Sequence, residues 1–195
     1  MISKISICNL ALAQLGQEPI VSLEQEDEKA RRLKLFYEPV RDEVLRTHNW
    51  AFAAAQMPLT LLEQVPDFNG LRAYKYPSQA LFIRGVFSAR NPKIRLPFEE
   101  RFREDLQARV LYVAADEVYA DYTRRIEDEN LFDPAFVKCF SLALATDLAV
   151  ALTGDTALAA QILQKYTLAL DEARRSNMTE NFLRASQTDV FSEVR

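Results

Sequence analysis

Glycine is scarce in this 195-residue chain, which holds only Gly16, Gly70, Gly85 and Gly154. A phosphate-cradling loop needs glycines close together so that backbone N–H groups converge on the anion, and these four are dispersed. Neither a P-loop nor a dinucleotide-binding glycine pattern can be written. Histidine occurs once, as His48, and cysteine twice, as Cys8 and Cys139. That leaves no HExxH motif and no Cys/His spacing for zinc, so no metal or cofactor is expected. Both cysteines sit in apolar helical patterns and read as reduced core thiols, which suits synthesis in a cytoplasm. As a general base His48 would need a nucleophile and an orienting partner, and the sequence nominates neither. A Cys139–His48 pairing stays open beside the plainer reading of His48 as a helix-end residue packed near Trp50. Long apolar runs are missing too: no stretch reads as the roughly 18 residues of a membrane span. Asn9 and Gln14 interrupt the run after Lys4 that would otherwise imitate a signal peptide.

What is present is a globular composition. At 49% hydrophobic the chain can bury a real core in one large or two small domains. The formal net charge of −4 lies far from the basic balance of a domain that grips nucleic acid.

Helical spacing dominates both ends. Ser3 or Ser6 can cap a first helix running to Leu15, with Gly16 just past its end. Ser22-Leu23-Glu24-Gln25 has capping-box spacing, and the acids that follow belong in a first turn. The second helix then runs to about Thr47, its apolar face built from Leu33, Tyr37, Val40 and Val44, with Pro39 inside it. Later, Asp133 is set to cap a helix with Pro134 at its first position, ending at Thr153-Gly154. A further helix carries Leu158, Ile162, Tyr166, Ala169, Leu170 and Ala173, and the short turn makes the last two an antiparallel hairpin. Beyond Ser176 the pattern dissolves. Phe182, Leu183, Val190 and Phe191 stand among polar residues there, in a tail read as docking on a neighbouring subunit or a partner.

Between Met57 and Tyr122 the texture changes. Pro58, Pro66, Pro77, Pro92 and Pro97 punctuate short runs rich in aromatic and β-branched residues. Strands are expected at 59–62, 73–76, 80–88, 93–96, 98–102, 108–114 and 118–122, as a small sandwich or barrel. From Phe68 to Phe98 the charged residues are all basic: Arg72, Lys75, Arg84, Arg90, Lys93 and Arg95. Glu99 onward is mainly acidic, through Asp105, Asp116, Glu117 and Asp121. Such a split fits an ordinary solvated face, a subunit contact between unlike patches, or a DNA-facing patch, and the three readings stay open.

The expectation is therefore an α+β chain. A bundle of about four main helices, over 1–56 and 123–176, carries an inserted small antiparallel β-sandwich or barrel, over 57–122, and an extended C-terminal tail, over 177–195.

Several motifs carry a resemblance. Tyr37-x-Pro39-x-Arg41-Asp42, then Leu45-Arg46 and an aromatic cluster opening on Trp50 and Phe52, together with the opening ICNLALAQLG and the element Phe132-Asp133-Pro134-Ala135-Phe136, resemble the tail tubular protein A family. These are head-to-tail adaptors of short-tailed bacteriophages. The resemblance implies a non-enzymatic virion tail protein, made and assembled in the bacterial host cytoplasm. It implies a homo-oligomeric, dodecameric ring that bridges the portal protein to the tail nozzle protein, with double-stranded DNA passing through its channel without sequence-specific binding and no membrane contact. It also implies a tail that reaches toward the portal. A monomeric helical protein-binding module and an uncharacterised hydrolase centred on His48 or the acidic clusters are the alternatives from other classes.

Overall fold

The computed structural model describes residues 2–65, 68–91 and 93–190, with side chains described as far as residue 176. Two compact units result: Met1–Phe52 joined by Ile126–Arg195, and Ala53–Arg125 between them. The α+β architecture expected from the sequence is present: four helices, with two small antiparallel sheets inserted between the second and third.

In the helical unit, α1 spans Lys4–Gln14 and is closed at its start by a reciprocal pair. The Ser6 N–H donates to Ser3 Oγ (3.1 Å) and the Ser3 N–H to Ser6 Oγ (2.8 Å). Gly16 follows at φ +63°, a left-handed conformation that glycine adopts without steric cost. The second helix, α2, spans Glu28–Thr47 and is capped by Asp27, later than the expected start at Ser22. The reason is local competition: Gln25 Oε1 accepts the N–H groups of Val21 and Ser22, and Ser22 Oγ accepts that of Glu24, so these groups fold into a turn of their own. Buried positions Leu33, Tyr37, Val40, Arg41, Val44 and Leu45 form the inner stripe of α2.

Asp133 caps α3, Pro134–Thr153, with Pro134 in the first turn and Gly154 at φ +68° closing it. This helix corrects the expectation about apolar runs, because its length and composition would allow it to cross a bilayer. It is apolar on most sides because it is the core helix of its unit, packed against α1, α2 and α4. After a turn at Gly154-Asp155, α4 runs Thr156–Val190. Its backbone is helical to Val190, through much of the stretch expected as a C-terminal tail. Phe182, Leu183 and Val190 have side chains outside the described set, and Phe191, Pro66 and Pro92 lie outside the described residues altogether.

Among the described residues the inserted unit has seven strands: β1 Ala54–Pro58, β2 Arg72–Lys75, β3 Ala80–Ser88, β4 Arg95–Leu96, β5 Phe98–Arg103, β6 Ala108–Val113 and β7 Val118–Arg124. One sheet has the order β1-β7-β3-β4 and the other β2-β6-β5, every pairing antiparallel. Tyr74, Ile83, Val86, Leu111, Val113, Val118, Ala120 and Tyr122 form the main core of this unit. A smaller cluster of Val65, Ala73, Val110 and Tyr112 is covered by Leu62, Leu71 and Leu106. The expected strand at 59–62 is absent; Leu61 contributes only an isolated bridge to Tyr74. The first strand instead lies earlier, over Ala54–Pro58, and so begins in residues 54–56, which the sequence assigned to the helical domain. The unit boundary accordingly falls at Ala53 and Arg125 instead of 57 and 122.

Candidate interaction surfaces

Two stretches singled out in the sequence, ninety residues apart, meet in one cluster of the helical unit. The Tyr37 ring lies edge-on to Phe140 (4.9 Å) and its hydroxyl donates to Glu129 (3.1 Å). Trp50 stacks edge-on to Phe136 (5.2 Å), while its indole N–H donates to the Val44 carbonyl (2.9 Å) and ties the chain after α2 back onto that helix. Phe52 reaches both Phe132 (6.0 Å) and Phe136 (5.1 Å). Burial and the Glu129 carboxylate hold the Tyr37 phenol above its ordinary pKa. Arg41 is buried and pairs with its neighbour Asp42 (2.8 Å). The cluster is structural in character: its polar groups are spent on fixing α2, the segment at 50–52 and α3 together.

His48 ends α2 and lies edge-on to Trp50 (5.0 Å), as the plainer sequence reading expects. Beside it, a cleft of about 60 Å³ is lined by Trp50, Phe52, Asp133 and Ser176, too small for more than solvent. Burial pushes Cys8 up to about 12 and Cys139 up to about 11, which makes both thiols poor nucleophiles at neutral pH. Among the described residues no group of three or more His, Cys, Asp or Glu side chains could hold a metal ion.

The six basic residues of the inserted unit do not form one patch. Arg72 and Lys75 lie on β2, in the smaller sheet. Arg84 and Arg95 lie on β3 and β4 of the other sheet, with Arg90 and Lys93 in the turn between those strands. Arg72 pairs with Asp116. Arg84 donates to Thr123 Oγ1 (3.0 Å); burial lowers its pKa and the nearby Asp121 works against that shift. Arg95 lies across β3 and donates to the Arg84 carbonyl. It fits there because residue 85 is glycine: a Cβ would sit 3.1 Å from both Arg95 Nε and the Phe87 ring. Lys75, Arg90 and Lys93 are exposed and have no ion-pair partner among the described residues. The acidic half is largely neutralised within the unit, by Arg101–Glu99 (2.7 Å), Arg103–Asp105 (2.7 Å) and Arg109–Glu100 (3.1 Å).

Two surfaces escaped the sequence reading. The larger sheet, whose outer face alternation would make polar, exposes Phe82 (45%) on β3 and Tyr119 (43%) on β7, with Phe87 opposite Tyr119. A depression of about 300 Å³ there is lined by Gln56, Phe87, Ser88, Tyr119, Ala120 and Asp121. Register shifts along β3 at Ala80/Phe82 and Ile83/Gly85 break the simple period, which hid this face. In the helical unit a groove of about 520 Å³ runs between α1 and α4 over α3. Leu10, Val137, Leu142, Leu168 and Ala169 make its apolar lining. Its residues come from three helices, so no local spacing announces it.

No family model and no curated protein sequence matches this chain.

Proposed function

We propose that the protein is a head-to-tail adaptor of a short-tailed bacteriophage: a structural virion component, not an enzyme, that forms a dodecameric ring. In this reading the ring bridges the portal protein to the tail nozzle protein and surrounds an axial channel for double-stranded DNA. The observation that carries the reading is the meeting of the resemblance motifs. Trp50 and Phe52 of the first pack on Phe132 and Phe136 of the second, while Tyr37 packs on Phe140, one turn further along α3. The residues that suggest the family thus share one aromatic cluster, which supports the reading. The order of parts also supports it, with a helical unit contributed by both halves of the chain and a β unit inserted between them.

Charge fits the role as well. A net charge of −4 lets DNA slide past, whereas a strongly basic lining would hold it through phosphate contacts. The exposed cations of this stretch without an ion-pair partner among the described residues are split between Lys75, on β2 of the smaller sheet, and Arg90 and Lys93, in the β3–β4 turn of the larger one, an arrangement better suited to contacts between neighbouring protein surfaces than to a DNA track. The site of action is the virion tail, with assembly in the host cytoplasm and no membrane involved. Mixing the protein with purified portal rings and imaging the product tests the reading: a collar of added density at one end of the portal is expected, and bare portals at saturating protein overturn it.

A further inference from the structure

We infer that the groove between α1 and α4 receives residues 177–195, the C-terminal end of α4 and the five residues after it, from a second copy of the chain. This rests on the ring reading and names the contact by which copies would follow one another. The groove is an unlikely solvent surface: Leu10 and Leu168 on its two walls are 48% and 56% exposed, over a floor of Val137 and Leu142. Its volume of about 520 Å³ falls within the range of sites that enclose a bound group, roughly 300–1,000 Å³.

Helix lengths identify the occupant. α3 has 20 residues and α4 has 35, so α4 is longer by about 22 Å. Lys138, in the first turns of α3, pairs with Glu172 (3.0 Å), which places the start of α3 beside the stretch of α4 near residue 176. From residue 177 onward α4 therefore runs past the end of its hairpin partner. The sequence of that overhang keeps apolar residues at helical spacing, with Met178, Phe182 and Ala185 at i, i+4 and i+7 and Leu183 adjoining.

Geometry excludes the chain's own tail. One wall of the groove, Lys165 to Glu172, belongs to the same continuous helix, which carries position 182 about 15 Å beyond that wall. A tail that cannot turn back reaches only another copy's groove. Charge agrees: Glu180, Asp189 and Glu193 outnumber Arg184 and Arg195 in the segment, while the groove rim offers Lys138, Lys165 and Glu172, with Lys165 lacking an ion-pair partner among the described residues. Tail into groove joins two different surfaces, a heterologous contact that repeats from copy to copy and closes only as a ring.

The test uses the full chain in sedimentation velocity over a concentration series. Three proteins are compared: the parent, Leu10→Glu/Leu168→Glu in the groove, and Phe182→Glu/Leu183→Glu in the tail. The parent should self-associate as concentration rises. Each double variant should weaken that association about a hundredfold or more while keeping the parent's helix content and thermal midpoint. Mixed in equal amounts, the two variants should form a species of two copies and nothing larger, because one intact groove and one intact tail remain. A parent that stays monomeric throughout overturns the inference, as does a double variant that associates like the parent or a mixture that behaves as its separate components. Portal imaging separates this from the adaptor reading. A collar formed equally by the parent and both variants removes the tail-in-groove contact and leaves the adaptor, whereas no collar from the parent removes the adaptor while the sedimentation outcome still decides the contact.

Discussion

The two units of this molecule are held together by different chemistry. The helical unit is organised around one apolar helix and a run of aromatic rings, with Arg41 its one buried charged side chain among the described residues. The β unit divides its apolar residues between two small clusters and surrounds them with arginine–carboxylate pairs. Exposed pairs of that kind are worth roughly 0–1 kcal/mol each, so the pairs fix orientation and the small clusters carry stability. The comparison teaches where a single change should matter: deep in the rings on one side, and in the side chains that close a thin core, such as Tyr74, on the other.

The largest effect is expected from Phe136→Ala. Phe136 is fully buried and meets Trp50, Phe52, Phe132 and Phe140, so its loss should cost about 3–5 kcal/mol, read as a shifted urea midpoint and a loss of near-ultraviolet signal from Trp50. A cost below about 1 kcal/mol would mean that the rings are not the keystone of the helical unit. In the β unit, Tyr74→Phe removes a hydroxyl that donates to the Ala115 and Asp116 carbonyls at the β6–β7 turn. It should cost about 1 kcal/mol, with faster amide exchange confined to that turn and to β2. Exchange that quickened equally in α1 would erase the distinction between the units.

The smallest effect sharpens the comparison through pH. Asp147, an exposed residue of α3, is held above the usual carboxylate range by partial desolvation and then by the Glu43 carboxylate. Because the folded chain holds this proton more tightly than the unfolded chain, the contribution is fully present below the ordinary carboxylate pKa. It is lost as pH rises through the raised one. Asp147→Asn should match the parent near pH 3 and gain a small margin in thermal midpoint by about pH 7. A margin that did not change with pH would show that the carboxyl charge is of no consequence there.

Much of the helical unit could be read from the chain because its punctuation is local. Ser3, Asp133, Pro134 and Gly154 act within a turn of where they stand, and each does in the structure what its residue type allows. The misreadings have non-local causes. Ala54–Pro58 has little strand character of its own and becomes β1 because β7 supplies a partner edge. α4 is fifteen residues longer than α3 and passes the start of α3 near Ser176, so the pattern that pairs the two helices stops there although the backbone continues. The six cations are neighbours in sequence, but the sheet order assigns two of them to a different sheet from the other four. Both surfaces that escaped notice join residues from several elements, and period alone cannot report such a union.

The register Ala54↔Thr123 brings the two ends of the inserted segment side by side. A chain that must bring α2 to α3 across the residues between Thr47 and Pro134 faces a loop-closure cost that grows by about 0.6 kcal/mol for each doubling of length. Once β1 zips onto β7, that long loop is reduced to the two short connections 48–53 and 124–133. The insert therefore works as a molecular clasp for its host, and loosening it would slow the meeting of the aromatic halves even where no ring is touched.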